Sequence, residues 1–388
     1  MPIPEILWFL LPVAAAAGWL AARNSISGKA SRFWDYSQHF HEELSQLLSE
    51  NDANQTLFDS FTHGERDAAD THLALGNLYR RRGEFERAIR IHESILTKQD
   101  LDNDVHVMAR FELAKDFDAA GLLDRAEEEF GALIKSGQLR EEAYEELLQF
   151  HERGQDWMQA IKVALQCETE TGRDLSCQIA HYHCELAEIA SCANDTLETQ
   201  RQLKLALQHW PQSARAHVQL ATMALREGEP SRAIDHFDKV EAFDSALMPV
   251  IIEQRFAALK STGDLSALKK FVQRIQSQKN AYSVIRTTRQ VIADLFDEKV
   301  AERFFKDQIL KRPSMKGLRD WAHDQLALSK PDEREKVQII CNLLDQVMED
   351  KPAYRCRSCG FEGNVMHWRC PGCASWDSVS TIIGVEGE

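Results

Sequence analysis

Through most of this chain apolar residues recur at helical spacing, and strand-like alternation is nearly absent before residue 353. The pattern also repeats. Aligned on ALGNLYRRRGEFERAI, residues 74–89, five units share their key positions. They carry Leu75, Gly76, Tyr79 and Ala88; Leu113, Ala114, Phe117, Ala126 and Phe130; Leu147, Leu148, His151, Ala160 and Ala164; Leu186, Ala187, Ala190, Leu203 and Ala206; and Leu220, Ala221, Ala224, Ala233 and Phe237. The leading leucines step by 38, 34, 39 and 34 residues. A small residue follows each of them except in the third unit, where Leu148 stands. The restriction has a steric reason: a bulky side chain there would hold apart two helices that cross closely. One such hairpin cannot bury its apolar face alone, so neighbours must stack into a continuous core.

These offsets, and a period near 34 residues, are those of a tetratricopeptide repeat (TPR). The expected fold class is all-α: a TPR α-solenoid with an N-terminal transmembrane helix and a small C-terminal zinc-ribbon module. The expected division is a membrane anchor at 1–23 and a juxtamembrane helical region at 24–68. TPR repeats follow at 69–245, then degenerate helical repeats and a connecting helix at 246–352, and a metal module at 353–388. Within 24–68 the stripe Phe33, Tyr36, Phe40, Leu44 and Leu47 suggests a degenerate first hairpin. The inner face of such an array is lined by first-helix residues, here Asn77, Arg80, Lys115, Gln149, Glu188 and Thr222. This mixed polar set suits a groove for a peptide or protein segment, although each also reads as an ordinary solvated residue.

Ile6 to Ala22 run without a charge, a length at the short end for a membrane span. Trp8 and Trp19 sit near its ends, where interfacial aromatics are favoured. Arg23, Lys29 and Arg32 follow it, so the positive-inside rule places the N-terminus outside and the bulk of the chain in the cytoplasm. A cleaved signal peptide is the competing reading, but the positive n-region it needs is missing.

Near the other end Cys356, Cys359, Cys370 and Cys373 read C-x2-C-x10-C-x2-C, two chelating hooks that can converge on one tetrahedral ion, usually zinc. A closed four-cysteine set leaves no open position, which makes the site structural. Gly360 suits the turn after the first hook, and Pro371 stiffens the second. Tyr354, Phe361, Trp368 and Trp376 offer packing, while Arg355, Arg357 and Arg369 could offset thiolate charge. So small a module needs support from a metal or a neighbour. It is therefore expected to pack on the last helices and cap the array, or to shape a binding surface. The other five cysteines, Cys167, Cys177, Cys184, Cys192 and Cys341, are scattered, as in a reducing compartment.

Acidic residues outnumber basic ones, 61 to 46, for a formal charge of −15 over 388 residues. That disfavours general affinity for nucleic acid, although the three ribbon arginines keep a nucleic-acid-binding zinc ribbon as an alternative. No phosphate-binding loop, dinucleotide fingerprint, H-E-x-x-H or G-x-S-x-G is present, so no enzymatic activity is expected. Cys177, His181 and Cys184 share a helix face, with His183 adjacent. Such a cluster could hold a metal or serve an enzyme; core thiols on a helix are the blander reading.

The segments LALGNLYR at Leu73–Arg80, AGLLDRAE at Ala120–Glu127, IAHYHCELA at Ile179–Ala187, and YRCRSCGF and WRCPGCASW around the hooks resemble the lipopolysaccharide assembly protein B family of Gram-negative bacteria. The resemblance spans nearly the whole chain. It implies a rubredoxin-like metal module holding Zn2+ or Fe, and a non-enzymatic adaptor at the inner membrane. The implied partners are a membrane-bound AAA+ protease, the deacetylase of the lipid A pathway that it degrades, and other lipopolysaccharide synthesis and export proteins. A homodimer, and a generic TPR assembly factor for a membrane complex, stay open.

Overall fold

The computed structural model describes residues 65–98, 101–278, 280–349, 351–385 and 387. The span expected at Ile6 to Ala22 and the stripe from Phe33 to Leu47 lie outside these residues. Among the described residues, no helix is long and apolar enough to cross a membrane. Two compact units are formed, one through Gly154 and one from Gln155.

The first unit contains α1 (Glu65–Arg81), α2 (Phe85–Leu96), α3 (Asn103–Ala119), α4 (Leu123–Ser136) and α5 (Arg140–Arg153). Consecutive helices pack as antiparallel hairpins. Gly121, at φ 74°, makes the sharp turn between α3 and α4, a backbone region open to glycine at no steric cost. The repeat alanines Ala88 and Ala126 are fully buried, and Phe130 fills the gap beside Phe111 at a ring distance of 6.0 Å. The small residue at Gly76 has a specific cause: a Cβ there would lie 2.3 Å from His92 Nε2. His92 reaches across the hairpin to a buried polar network. Its Nδ1 is 2.5 Å from Asp116 Oδ2, and Arg80 binds Asp116 at 2.7 Å and Glu112 at 2.5 Å. Burial works against the Arg80 charge, but Glu112 and Asp116 hold its pKa above the ordinary value.

The second unit begins with α6 (Trp157–Thr171), α7 (Ser176–Cys192), α8 (Thr196–His209), α9 (Ala214–Arg226) and α10 (Pro230–Phe243). A 3-10 turn (Ser245–Leu247) leads to α11 (Met248–Ser261), α12 (Leu265–Ser277), α13 (Tyr282–Leu295), α14 (Glu298–Lys311), α15 (Met315–Leu328) and α16 (Pro331–Met348). The helices start where short polar residues cap them. Asp156, Asp195, Ser213, Asp264, Asp297 and Ser314 each accept a backbone N–H in the first turn, typically worth ~1 kcal/mol apiece. Asn194, at φ 60°, turns the chain between α7 and α8 where other hairpins use glycine. From α11 to α14 an apolar core is built on Ile252, Phe256, Phe271, Ile285, Ile292 and Phe305, with Arg255, Thr288 and Gln308 also buried.

A three-stranded antiparallel sheet closes the chain, ordered β2-β1-β3, with β1 (Tyr354–Cys356), β2 (Glu362–Gly363) and β3 (Val379–Thr381). Tyr354 pairs with Gly363 on one side and with Thr381 on the other.

Candidate metal centre and its docking face

Each hook is a tight knuckle. Gly360 N–H donates to the Cys356 carbonyl at 3.1 Å, and Ala374 N–H donates to the Cys370 carbonyl at 2.9 Å. Gly360 and Ala374 occupy equivalent places at φ 78° and 59°, so the second knuckle holds an alanine where the first has glycine. The knuckles bring the four Sγ atoms within 4.8 Å of one another. Cys356 and Cys373 Sγ are 3.7 Å apart, and Cys359 and Cys370 Sγ 3.6 Å. Four thiolates at ~2.3 Å from a tetrahedral ion would have edges of about 3.8 Å, so the donors fit zinc without rearrangement. All nine cysteines are free, and these sulfur separations are far beyond a disulfide bond. Ser378 Oγ lies 3.3 Å from Cys356 Sγ, and Ser358 N–H donates to that sulfur at 3.4 Å. With the Ser378 contact as first cause, the Cys356 thiol is drawn down to about 5, towards the thiolate a metal needs. Similar tetrahedral thiolate chemistry serves iron, so the donor set fixes a structural metal and not its identity.

The ribbon leaves much of α16 uncovered, with Ile339, Ile340, Leu343 and Val347 about half exposed. It docks on α6, α7 and α9–α11, through its own tryptophans. Trp376 stacks on His181 at 4.7 Å and 17°, and meets the edges of Trp157 at 6.1 Å and Tyr182 at 6.0 Å. Trp157 and Tyr182 are themselves stacked and buried, so α6 and α7 present a preformed aromatic seat. Met366 and Trp368 pack against the core made by Ala221, Phe237, Leu247 and Ile251. Beyond β3, Met315 N–H donates to the Val385 carbonyl at 2.7 Å, tying the tail to α15. The aromatic side chains expected to pack within the module are thus divided. Phe361 joins Cys356, Cys370 and Val379, while Trp368 and Trp376 face the helices.

The three ribbon arginines are engaged locally. Arg355 pairs with Glu362 at 2.6 Å, Arg357 donates to the Asp377 carbonyl at 2.8 Å, and Arg369 lies 5.6 Å from the Trp376 ring. The structure divides the helical cysteine–histidine cluster. Cys177 and His181 meet Asp377 of the ribbon: His181 Nε2 is 2.8 Å and Cys177 Sγ 3.7 Å from Asp377 Oδ2. Burial, then the Asp377 carboxylate, pushes the Cys177 thiol up to about 12. Cys184 turns instead into the core with Ala180 and Leu203, where burial raises it to about 12 and leaves it unreactive. His183 contacts Gln202 Oε1 at 2.7 Å. Asp377, Trp157 and Arg215, whose guanidinium lies 6.0 Å from the Trp376 ring, carried no sequence signal for this face.

The expected groove residues are distributed as follows. In the first unit Arg80 is held by the Glu112–Asp116 network and Asn77, Lys115 pairs with Glu146 at 3.5 Å, and Gln149 is exposed. In the second unit Glu188 and Thr222 line one cleft of about 520 Å³. Ser191, Gln219, Arg226 and, from the ribbon, Trp368 share its walls. Gln219 Oε1 is buried there without a partner.

Helical hairpins of the TPR type carrying a four-thiolate ribbon docked on their flank define a repeat scaffold with a structural metal module. Family comparison agrees: the rubredoxin metal binding domain matches residues 354–380, and tetratricopeptide repeats match 71–104 and 193–246. The chain is 28% identical over 389 residues to Lipopolysaccharide assembly protein B of Escherichia coli (strain K12), covering 99% of each. It is 25% identical over 401 residues to the Haemophilus influenzae protein of the same name, covering 98% of this chain and 99% of that one. Its similarity to proteins bearing that name runs along nearly the whole of both chains. A solved structure of Pseudomonas aeruginosa PilF is 14% identical over 63% of this chain and 98% of its own, with a TM-score of 0.29.

Proposed function

We propose that this protein is a membrane-tethered, non-catalytic adaptor in lipopolysaccharide assembly. It sits on the cytoplasmic side of the inner membrane, held by a single span at its N-terminus. It brings the lipid A pathway deacetylase to a membrane-bound AAA+ protease and so limits precursor synthesis. Holding two proteins beside each other raises their effective concentration, which needs surfaces and a tether but no reaction centre. The observation that carries this reading is the docked ribbon. A structural metal module seated on the flank of a TPR array makes a composite surface, including the cleft shared by Glu188, Thr222 and Trp368. The name shared by the proteins it matches supports the pathway.

The deciding experiment is crosslinking and pull-down from membranes, with the full chain and with residues 1–23 removed, alongside deacetylase half-life in depleted cells. Co-purification of both partners, weakened without the anchor, and a longer half-life on depletion are expected. A deacetylase half-life that does not change on depletion would sink the proposal.

A further inference from the structure

We propose that Cys177, His181 and Asp377 form a second divalent-metal site, of the zinc class, that joins α7 to the ribbon. It is separate from the four-cysteine centre, and the adaptor reading neither needs it nor supplies it. The three ligand atoms, a thiol sulfur, an imidazole nitrogen and a carboxylate oxygen, lie within 4.8 Å of one another. Cys177 and His181 are one helical turn apart on α7, the spacing that puts two side chains over the same spot. Asp377 arrives from the loop that follows the second hook and closes the triangle from the opposite side.

The geometry is close to coordination. Zinc accepts sulfur, nitrogen and oxygen donors together, at roughly 2.0–2.3 Å. At such bond lengths a tetrahedral nitrogen–oxygen edge is about 3.3 Å and a sulfur–oxygen edge about 3.5 Å. The corresponding separations are 2.8 Å and 3.7 Å. The adjustment falls on Asp377, whose side chain is 44% exposed, while that of His181 is 2% exposed and fixed by Trp376 stacked on its face. An ion there would be reached from the Asp377 side, and three protein ligands would leave a fourth position for water or a donor from a bound protein. His181 Nδ1 is buried without a partner, so Nε2 is the engaged nitrogen of the ring. Nε2 either carries a proton and donates it to Asp377, or presents its lone pair to a cation in that proton's place. Metal stoichiometry separates these two states.

The full chain is purified in detergent and reducing buffer with added Zn2+, desalted, and assayed for zinc per chain beside Cys177→Ser and Asp377→Asn. Two ions per chain are expected in the parent and one in each variant. In Co2+ titrations the second equivalent should bind at least tenfold more weakly in the variants, while the four-thiolate absorption of the ribbon centre persists. That absorption reports that the ribbon is still folded. If Asp377→Asn loses it, Cys177→Ser, which leaves the ribbon sequence intact, decides alone. One ion per chain in the parent under excess zinc, or two that neither variant reduces, overturns the site.

Discussion

His92 of α2 and His217 of α9 are both buried at helix contacts, yet one faces a carboxylate and the other a second imidazole. Around His92 both ring nitrogens meet oxygen acceptors, Asp116 Oδ2 at 2.5 Å and the Leu73 carbonyl at 3.3 Å. Arg80, Glu112 and Asp116 complete a network of alternating charge. Around His217, Nε2 faces the Pro211 carbonyl at 3.3 Å, and Nδ1 is 3.0 Å from His236 Nδ1. With the His217 ring neutral, Nε2 can donate to that carbonyl while Nδ1 accepts from His236, so both contacts are met without a charge. Burial first, and His236 second, draws His217 down to about 4; burial, with Lys239 and Arg232, also lowers His236. The same kind of hairpin contact therefore accepts either a charged network or a neutral pair.

Removing a partner on the charged side should have the largest effect. Asp116→Ala leaves Arg80 and His92 without their shared carboxylate and should cost about 3–5 kcal/mol. Hydrogen exchange would place the loss in α1–α3; unchanged protection there would contradict the network account. Gly76→Ala tests the same hairpin sterically. The new Cβ must displace the His92 ring, at a cost of about 1–3 kcal/mol in thermal or urea unfolding. On the neutral side the lever is acid. An unfolded histidine titrates near pH 6.5, above the folded value of His217, so the unfolded state takes up the proton first. The contribution of His217 is fully present above about pH 6.5 and is lost as pH falls towards about 4. His217→Gln should flatten that part of the stability profile, and an unaltered slope would remove the pair from the explanation. The smallest effect is a control that neither histidine should feel. Ala374→Gly relieves a positive φ in the second knuckle and should stabilise the ribbon by about 0.5 kcal/mol, read from metal-release rates.

Legibility in the sequence followed how local each constraint is. Within each unit, hairpins were readable because Gly76 and Ala114 in the first, and Ala187 and Ala221 in the second, mark helix crossings within one repeat. From α11 to α14 helices were readable but repeats were not, since an apolar core such as Ile252–Phe256–Phe305 is met by many interchangeable side chains. The metal cysteines were legible because chelation demands fixed spacing. The docking face was not: His181 and Asp377 are 196 residues apart, and nothing local in a tryptophan such as Trp376 says which helix will cover it. Helical phase grouped Cys184 with Cys177 and His181, but α7 is buried on more than one side, and Cys184 turned into the core.

The order β2-β1-β3 makes the final strand the one that completes the ribbon, and Trp376 emerges just before it. The seat on Trp157 and Tyr182 is synthesised about 200 residues earlier. At ribosomal speeds of about 5–20 residues per second, the nascent protein carries that greasy patch uncovered for roughly 10–40 s. During this interval the half-made chain is a natural client for chaperones, and a message truncated before the last codons would leave the patch permanently bare.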